Sequence, residues 1–279
     1  MRTDQEVIDG WAEGTSGSLV RDDRVVHVEH IWGTAVTINV AGTRGREPAA
    51  LAVIEECRRF FTQVDLAFST HKPLTEVSLY RAGPERPGRH SEEFEEVMAA
   101  CLDLRAVTNG AFDPWSVPGG YDPSGYVKGW AAGHASGRLA GAGFGDHLVS
   151  AGGDICASGD EEPASGQGWP VGILNPHAPT EVIEVVTLRS QSMATSGRYE
   201  RGDHVVDPGT GRPAVGVDSA TVVGPDPGMA DALASAAMVH GPAGVGWFAD
   251  LGPQWSLHIV VGQVAHTFGP AFEAPSARK

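Results

Sequence analysis

Apolar and polar positions along the chain fall into segments of two different periods. "RVVHVEHIWGTAVTINVAG" (24–42) is rich in β-branched residues with partial alternation, which predicts one long strand or a hairpin. Pro48 opens a stretch of helical period, with Leu51, Ile54, Phe61 and Val64 on a common face. A second helix is predicted from the capping residue Ser91, with Glu92 and Glu93 in its first turn and Asn109-Gly110 at its end. Its apolar stripe is Phe94, Val97, Met98 and Cys101. Strands are predicted at "HLVSAGG", "WPVGILN", "EVIEVVTL", "DSATVVG" and "WSLHIVVG", with a helix over 227–241 between the last two. Helices and strands mix without regular βαβ alternation. The expected class is α+β, with mixed or antiparallel sheets flanked by helices. "SGDEEPASGQG" (158–168) predicts a solvated loop. The expected organisation is an N-terminal extension over 1–23, a single domain over 24–270 and a tail over 271–279.

Composition narrows the function classes. At 41% apolar and 20% charged residues the chain is ordinary for a globular protein, and 37 glycines with 19 prolines predict many shaped turns. The net charge of −15 excludes nucleic acid as a partner, because that binding needs a basic footprint. If the ligand carries phosphates, the site must supply cations against the global field. "MRTDQEVIDG" has no apolar core of a leader, and no run of about 18 apolar residues occurs, so the expectation is a cytoplasmic protein without a membrane partner. Cys57, Cys101 and Cys156 are widely spaced and form no C-x-x-C, which reads as reduced, buried thiols.

Some common chemistries are absent. "GAGFGD" (141–146) follows a predicted helix and runs into a strand, the wrong context for a dinucleotide loop. The eleven histidines form no H-E-x-x-H, and no G-x-S-x-G elbow occurs.

Other stretches are more suggestive. Asp113-Pro114 and Asp122-Pro123 are two turns of one kind on either side of Gly119-Gly120, and the second leads to Gly125 and Lys128. Alone, the first reads as an Asx-Pro turn with Phe112 in the core. Together they suggest a surface of exposed backbone, suited to phosphates or flat rings. "SAGGDI" (150–155) fits either a bulge or a strand end on which a ligand lies. Thr195 and Ser196, with flexible Gly197 and the nearby Arg198 and Arg201, form a candidate anion cradle. His204 beside it is a candidate general base. Asp231 and Ser235, at i and i+4, share one helix face and offer hard oxygen donors suited to Mg²⁺.

In this order the stretches "GAFDP", "DPSGYVKG", "SAGGDI", "ATSGRY", "HVVDPGTGRP" and "ADALASA" resemble the ApbE family, the FAD:protein FMN transferases. The resemblance runs from about Gly33-Thr34 to about Gly241 and rests on six ordered motifs, none specific alone. It implies an ApbE-like, T-fold-like architecture that binds FAD and Mg²⁺. The reaction it implies moves the FMN moiety of FAD onto a Ser or Thr hydroxyl of a target flavoprotein and releases AMP. By position, Ser69, Ala111, Phe112, Asp113, Asp122 and Lys128 would contact FAD, joined by Thr195, Ser196, Arg198 and His204. The metal would be held by Asp231, Ser235 and main-chain carbonyls, those of Gly125 and Ala234. His204 and Asp231 would be the catalytic residues. An FAD pyrophosphatase and a non-catalytic flavin-binding protein are the alternatives.

This chain departs from the family pattern in places. Ser235 stands where threonine is usual, Gly133 where an acid is common, Trp32 where methionine precedes Gly-Thr, and His71 where tyrosine is frequent. The segment between the two Asp-Pro turns is short, which implies a more open wall to the flavin pocket.

Overall fold

A nine-stranded antiparallel sheet organises the chain, and the computed structural model describes residues 16–83, 90–201 and 205–273. Strands β1 (Gly17–Arg21), β2 (Arg24–Ile31) and β3 (Thr34–Ala41) come first. Helices α1 (Glu47–Phe68), α2 (Glu76–Arg81), α3 (Glu92–Val107) and α4 (Ser124–Gly141) follow. Next are β4 (His147–Ala151), β5 (Asp154–Ser158), β6 (Trp169–Asn175), β7 (Ala178–Leu188) and β8 (Gln191–Gly197). The short helix α5 (Arg198–Arg201) leads to β9 (Val206–Asp207), β10 (Arg212–Pro213) and β11 (Ser219–Gly224). The chain closes with α6 (Pro227–His240), α7 (Val245–Leu251), β12 (Ser256–Val261) and β13 (Val264–Phe268). The large sheet runs β1-β2-β3-β4-β5-β8-β11-β12-β13.

The β-branched stretch 24–42 is a hairpin whose two-residue turn is Trp32-Gly33, with Ile31 paired to Thr34. Strand β1 pairs with β2, so the sheet begins at Gly17, ahead of the expected domain start at 24. The expected helices form, and α3 has its expected cap. Ser91 Oγ accepts from the Phe94 N–H at 3.2 Å to cap α3. Asp226 accepts from the Met229 N–H at 2.7 Å to cap α6, and Pro227 opens it.

Period-2 alternation sends neighbouring side chains to opposite faces of the sheet. Ala194 and Val222 join the core under α1, α4 and α6, whereas Met193 and Val223 join a second cluster. That second cluster is covered by the β6–β7 hairpin through Trp169, Ile173 and Leu188. Phe61 of α1 is fully buried in the first core and contributes about 2–3 kcal/mol through its removed apolar surface. The three thiols are unpaired, with Cys57 and Cys101 buried and Cys156 half-buried.

Helices α4 and α6 cross at glycines. A Cβ on Gly129 would lie 2.0 Å from the Pro227 carbonyl oxygen, and one on Gly228 would lie 2.6 Å from the Tyr126 ring. Only hydrogen fits at either position, so the two backbones approach closely and bring their polar residues together. The loop over 158–168 is exposed over 162–167, as its composition predicts, and folds around one buried acid. Asp160 is buried, accepting from the Gly166 and Gly168 N–H groups at 3.0 and 2.9 Å, because the loop folds back around its own carboxylate. Among the described residues, no helix is long and apolar enough to cross a membrane.

Candidate active site

Helix α4 starts on an Asx turn: Asp122 Oδ1 accepts from the Ser124 N–H at 3.0 Å. Arg81 holds this turn from outside, 3.3 Å from Asp122 Oδ2 and donating to the Tyr121 carbonyl at 2.7 Å. One turn into the helix, Lys128 reaches two carboxylates. Its ammonium bonds Asp154, at the start of β5, and Asp231 Oδ2 on α6 at 2.9 Å. Asp154 and Asp231 are buried, and the Lys128 side chain is 19% exposed. Burial alone would lower the lysine pKa, but Asp154 and then Asp231 outweigh it and raise the pKa, so Lys128 stays charged. Two carboxylates thus face one ammonium.

Ser235 lies one turn along α6 from Asp231, with its Oγ 3.2 Å from Ser196 Oγ on β8. Next to Ser196, Thr195 Oγ1 is 2.8 Å from Thr221 Oγ1. A Cβ on Gly125 would lie 3.4 Å from Ser235 Oγ and 3.3 Å from Phe112, so glycine there keeps the space beside the hydroxyl open. The side-chain donors here are hard oxygens: the Asp231 carboxylate and the Ser196 and Ser235 hydroxyls. Among the described residues no three His, Cys, Asp or Glu side chains cluster as a metal site. A cation in this position would therefore rest on one carboxylate, one hydroxyl and main-chain oxygen. Mg²⁺ accepts such a set because it keeps waters and takes ligands from substrate. The Asp231 carboxylate and the space beside the Ser235 hydroxyl fit it.

A cavity of about 900 Å³ opens above this floor, at the upper end of the range typical of ligand pockets. Ser69, Asp122 and Lys128 line it, together with Trp32, Phe68 and His71. Ser69 is held at the end of α1, where its carbonyl accepts from Thr75 Oγ1 at 2.8 Å.

The residues picked out in the sequence thus part into groups. Ser69, Asp122 and Lys128 line the cavity, and Asp231 is tied to it through Lys128. Ser235, Ser196 and Gly125 lie against one another, and Thr195 meets Thr221. Ala234 is buried between Leu233 and Ser235 on α6. Arg198 is exposed, and its N–H donates to the Asp218 carbonyl at 3.1 Å. Ala111 and Phe112 are buried beneath the α4 turn. Asp113 is engaged internally, accepting from the Trp115 N–H at 3.0 Å and Ser116 Oγ at 2.8 Å, with Arg105 at 2.9 Å. His204 lies outside the described residues. Sequence reasoning assigned Lys128 to the dinucleotide and Asp231 to a metal, whereas the structure joins the two directly. It also assigned no role to Asp154. The one available signal was the acid that ends the Gly152-Gly153 strand turn.

The fold has counterparts among solved structures. The flavin transferase ApbE of Vibrio cholerae superposes with a TM-score of 0.75 at 20% identity, covering 90% of this chain and 98% of that one. The class is therefore the α+β fold of the ApbE structures. Residues 120–255, which contain Lys128, Asp154, Asp231 and Ser235, match the model of the ApbE family. This segment is what the chain has in common with the ApbE family. Proteins named FAD:protein FMN transferase from Rhodobacter capsulatus and Escherichia coli K12 are 35% and 32% identical over 129 and 186 residues. Those matches cover 43% and 60% of this chain, and 24% and 52% of the relatives' own lengths.

Proposed function

We propose that this chain is an FAD:protein FMN transferase, which moves the FMN moiety of FAD to a Ser or Thr hydroxyl of a target flavoprotein. The observation that carries this reading is a Lys128–Asp154–Asp231 cluster whose lysine lines a cavity of about 900 Å³. In the reaction the acceptor oxygen forms a bond to the FMN phosphorus while the bridging P–O bond to AMP breaks. Lys128, held charged by its two carboxylates, places a cation at the cavity wall where phosphate charge accumulates. Asp122 and Ser69 contribute polar groups to the same wall. Asp231, Ser235 and the carbonyls of Gly125 and Ala234 would hold Mg²⁺, which when bound offsets charge on the diphosphate oxygens. His204 is assigned the hydroxyl proton of the acceptor, which must leave as the new ester forms.

The sequence relatives bear that name, and the ordered motifs agree with it. The test is incubation with FAD, Mg²⁺ and a flavoprotein that presents a Ser or Thr acceptor, followed by in-gel flavin fluorescence. Labelling is expected, with stoichiometric AMP, and Asp231→Asn should lower its rate about 10²–10³-fold, as when one transition-state contact is lost. AMP and free FMN formed equally fast without the acceptor would replace this reading with a pyrophosphatase. FAD binding with no AMP formed under any condition would replace it with a flavin-binding protein.

A further inference from the structure

A second group of polar side chains lies where β1 and β2 meet α1. Ser18 of β1 and His27 of β2 are partners in register, and Ser18 Oγ is 2.8 Å from Nδ1 of the imidazole. The other ring nitrogen, Nε2, is 3.2 Å from Glu29 Oε2. Glu29 follows His27 by two residues and so shares its face of the strand. From α1, Arg58 Nε donates to the same Glu29 oxygen at 2.6 Å, and its Nη1 donates to Glu55 at 2.7 Å. Burial would raise the Glu29 pKa, but Arg58 and then His27 outweigh it and keep the carboxyl ionised. An ionised carboxylate only accepts, so the His27 proton sits on Nε2, and Nδ1 accepts from the Ser18 hydroxyl. Burial pushes the His27 pKa down against the pull of Glu29, which leaves the ring neutral at neutral pH.

A hydroxyl, a neutral imidazole and a carboxylate thus stand in series, the order that activates a serine on several unrelated folds. A main-chain carbonyl would satisfy a buried histidine, whereas a carboxylate also stabilises the imidazolium formed when the ring takes a proton. Ser18 is exposed and His27 is buried. Both line a cavity of about 310 Å³ with Leu51, Ile54 and Arg58, at the lower end of the range for ligand pockets. No residue lining it also lines the cavity of about 900 Å³ at Lys128.

We propose that Ser18 is a catalytic nucleophile in a second site, which hydrolyses small esters of short apolar acids and does not depend on the flavin reading. In the first step Ser18 Oγ forms a bond to the acyl carbon and its proton passes to His27 Nδ1. The ester C–O bond breaks, and the leaving alkoxide takes that proton. Water then attacks the acyl group on Ser18 with His27 again as the base, releasing the acid and the free serine. Leu51 and Ile54 give the acyl chain an apolar wall, and Arg58 supplies a cation on the cavity wall for charge that builds on the carbonyl oxygen. Glu29 acts through His27 and is a positioning residue.

The test uses the full chain without FAD or Mg²⁺. Diisopropyl fluorophosphate followed by peptide mapping should place an adduct on Ser18. Ser16 is the internal control: it lines the same cavity, but its Oγ accepts from the His30 N–H at 3.0 Å and has no imidazole partner, so it should stay unlabelled. Turnover of p-nitrophenyl acetate should be lost in Ser18→Ala. His27→Gln should slow the labelling of Ser18 about 10²–10⁴-fold, the range for a positioned base. Glu29→Gln keeps an acceptor near Nε2 and removes the charge, and should slow it at least about 10-fold at an unchanged urea midpoint. A merely structural role for Glu29 predicts no slowing, since loosening β1 leaves Ser18 just as accessible. The proposal is overturned by the absence of a Ser18 adduct, by equal labelling of Ser16 and Ser18, or by ester turnover that survives Ser18→Ala.

Discussion

Helix α4 takes part in burying two ionisable side chains, one near each end, and treats them oppositely. Near its start, Lys128 is kept charged by Asp154 and Asp231. Further along, Ser136 Oγ lies 2.7 Å from Nε2 of His147, a fully buried residue of β4. The other ring nitrogen, Nδ1, is 2.7 Å from the Phe144 carbonyl and must donate to it, because a carbonyl only accepts. Nε2 then accepts from the serine hydroxyl, and the ring is neutral. Burial pushes the His147 pKa down, in agreement with that tautomer. The same helix can therefore satisfy a buried group without charge, using a carbonyl and a hydroxyl. Spending two buried carboxylates on one ammonium adds little to folding stability, since desolvation consumes much of the attraction. The charged arrangement is the one that adjoins the cavity, which points to chemistry rather than stability as its reason.

The sharpest way to break this contrast is Lys128→Met. It removes the ammonium that Asp154 and Asp231 share and should cost about 3–5 kcal/mol in urea unfolding. Adding Asp154→Asn to it should recover part of the loss by removing one of the two buried carboxylates. A single variant within about 1 kcal/mol of the wild type would mean that the cluster is solvated after all. At the other end of α4, His147→Phe removes the neutral partner of the Phe144 carbonyl and the Ser136 hydroxyl. The expected cost is smaller, about 1–3 kcal/mol by the same measurement. If His147→Phe proved the more damaging of the two, the assignment of charged and neutral ends would be reversed.

Much of this contrast could not be read from the chain alone. The local elements could: the 24–42 hairpin, the Ser91 cap and the α6 helix follow from period and capping chemistry within a few residues of one another. Asp231 and Ser235 were placed on one face by helical spacing, and Lys128 by its glycine-flanked turn. That Lys128 and Asp231 would touch depends on Gly129 meeting Pro227, a contact between elements about a hundred residues apart in sequence. The two Asp-Pro turns show the same limit from the other side. Asp113 and Asp122 carry one local signal, yet Arg105 and Ser116 hold Asp113 in the interior while Asp122 stays on the cavity wall. Likewise, alternation in β7 does not reveal which sheet face the β6–β7 hairpin will cover, because Val182, Ile183 and Val185 are all exposed.

The smallest expected effect is one of pH, and it separates the two ends by sign. His27, His147 and His258 all have pKa values lowered from 6.5, in each case with burial as the leading cause. For His27 the Glu29 hydrogen bond opposes that shift, and Arg58 adds to it. Below pH 6.5 the unfolded chain binds protons at these positions that the folded chain refuses, so stability falls as the pH falls. Lys128 has the opposite linkage, since its raised pKa makes its contribution complete at neutral pH and lost only in strong alkali. Between pH 7.5 and 5.5 carboxylates with ordinary pKa values change little, so the decline there belongs mainly to the histidines. Each histidine contributes at most about 1.4 kcal/mol one unit below its unfolded pKa. Urea midpoints measured across that window should drop for the wild type and drop less for His147→Phe. Parallel curves for the two proteins would show that His147 is protonated in the folded state, and the neutral end of the comparison would be lost.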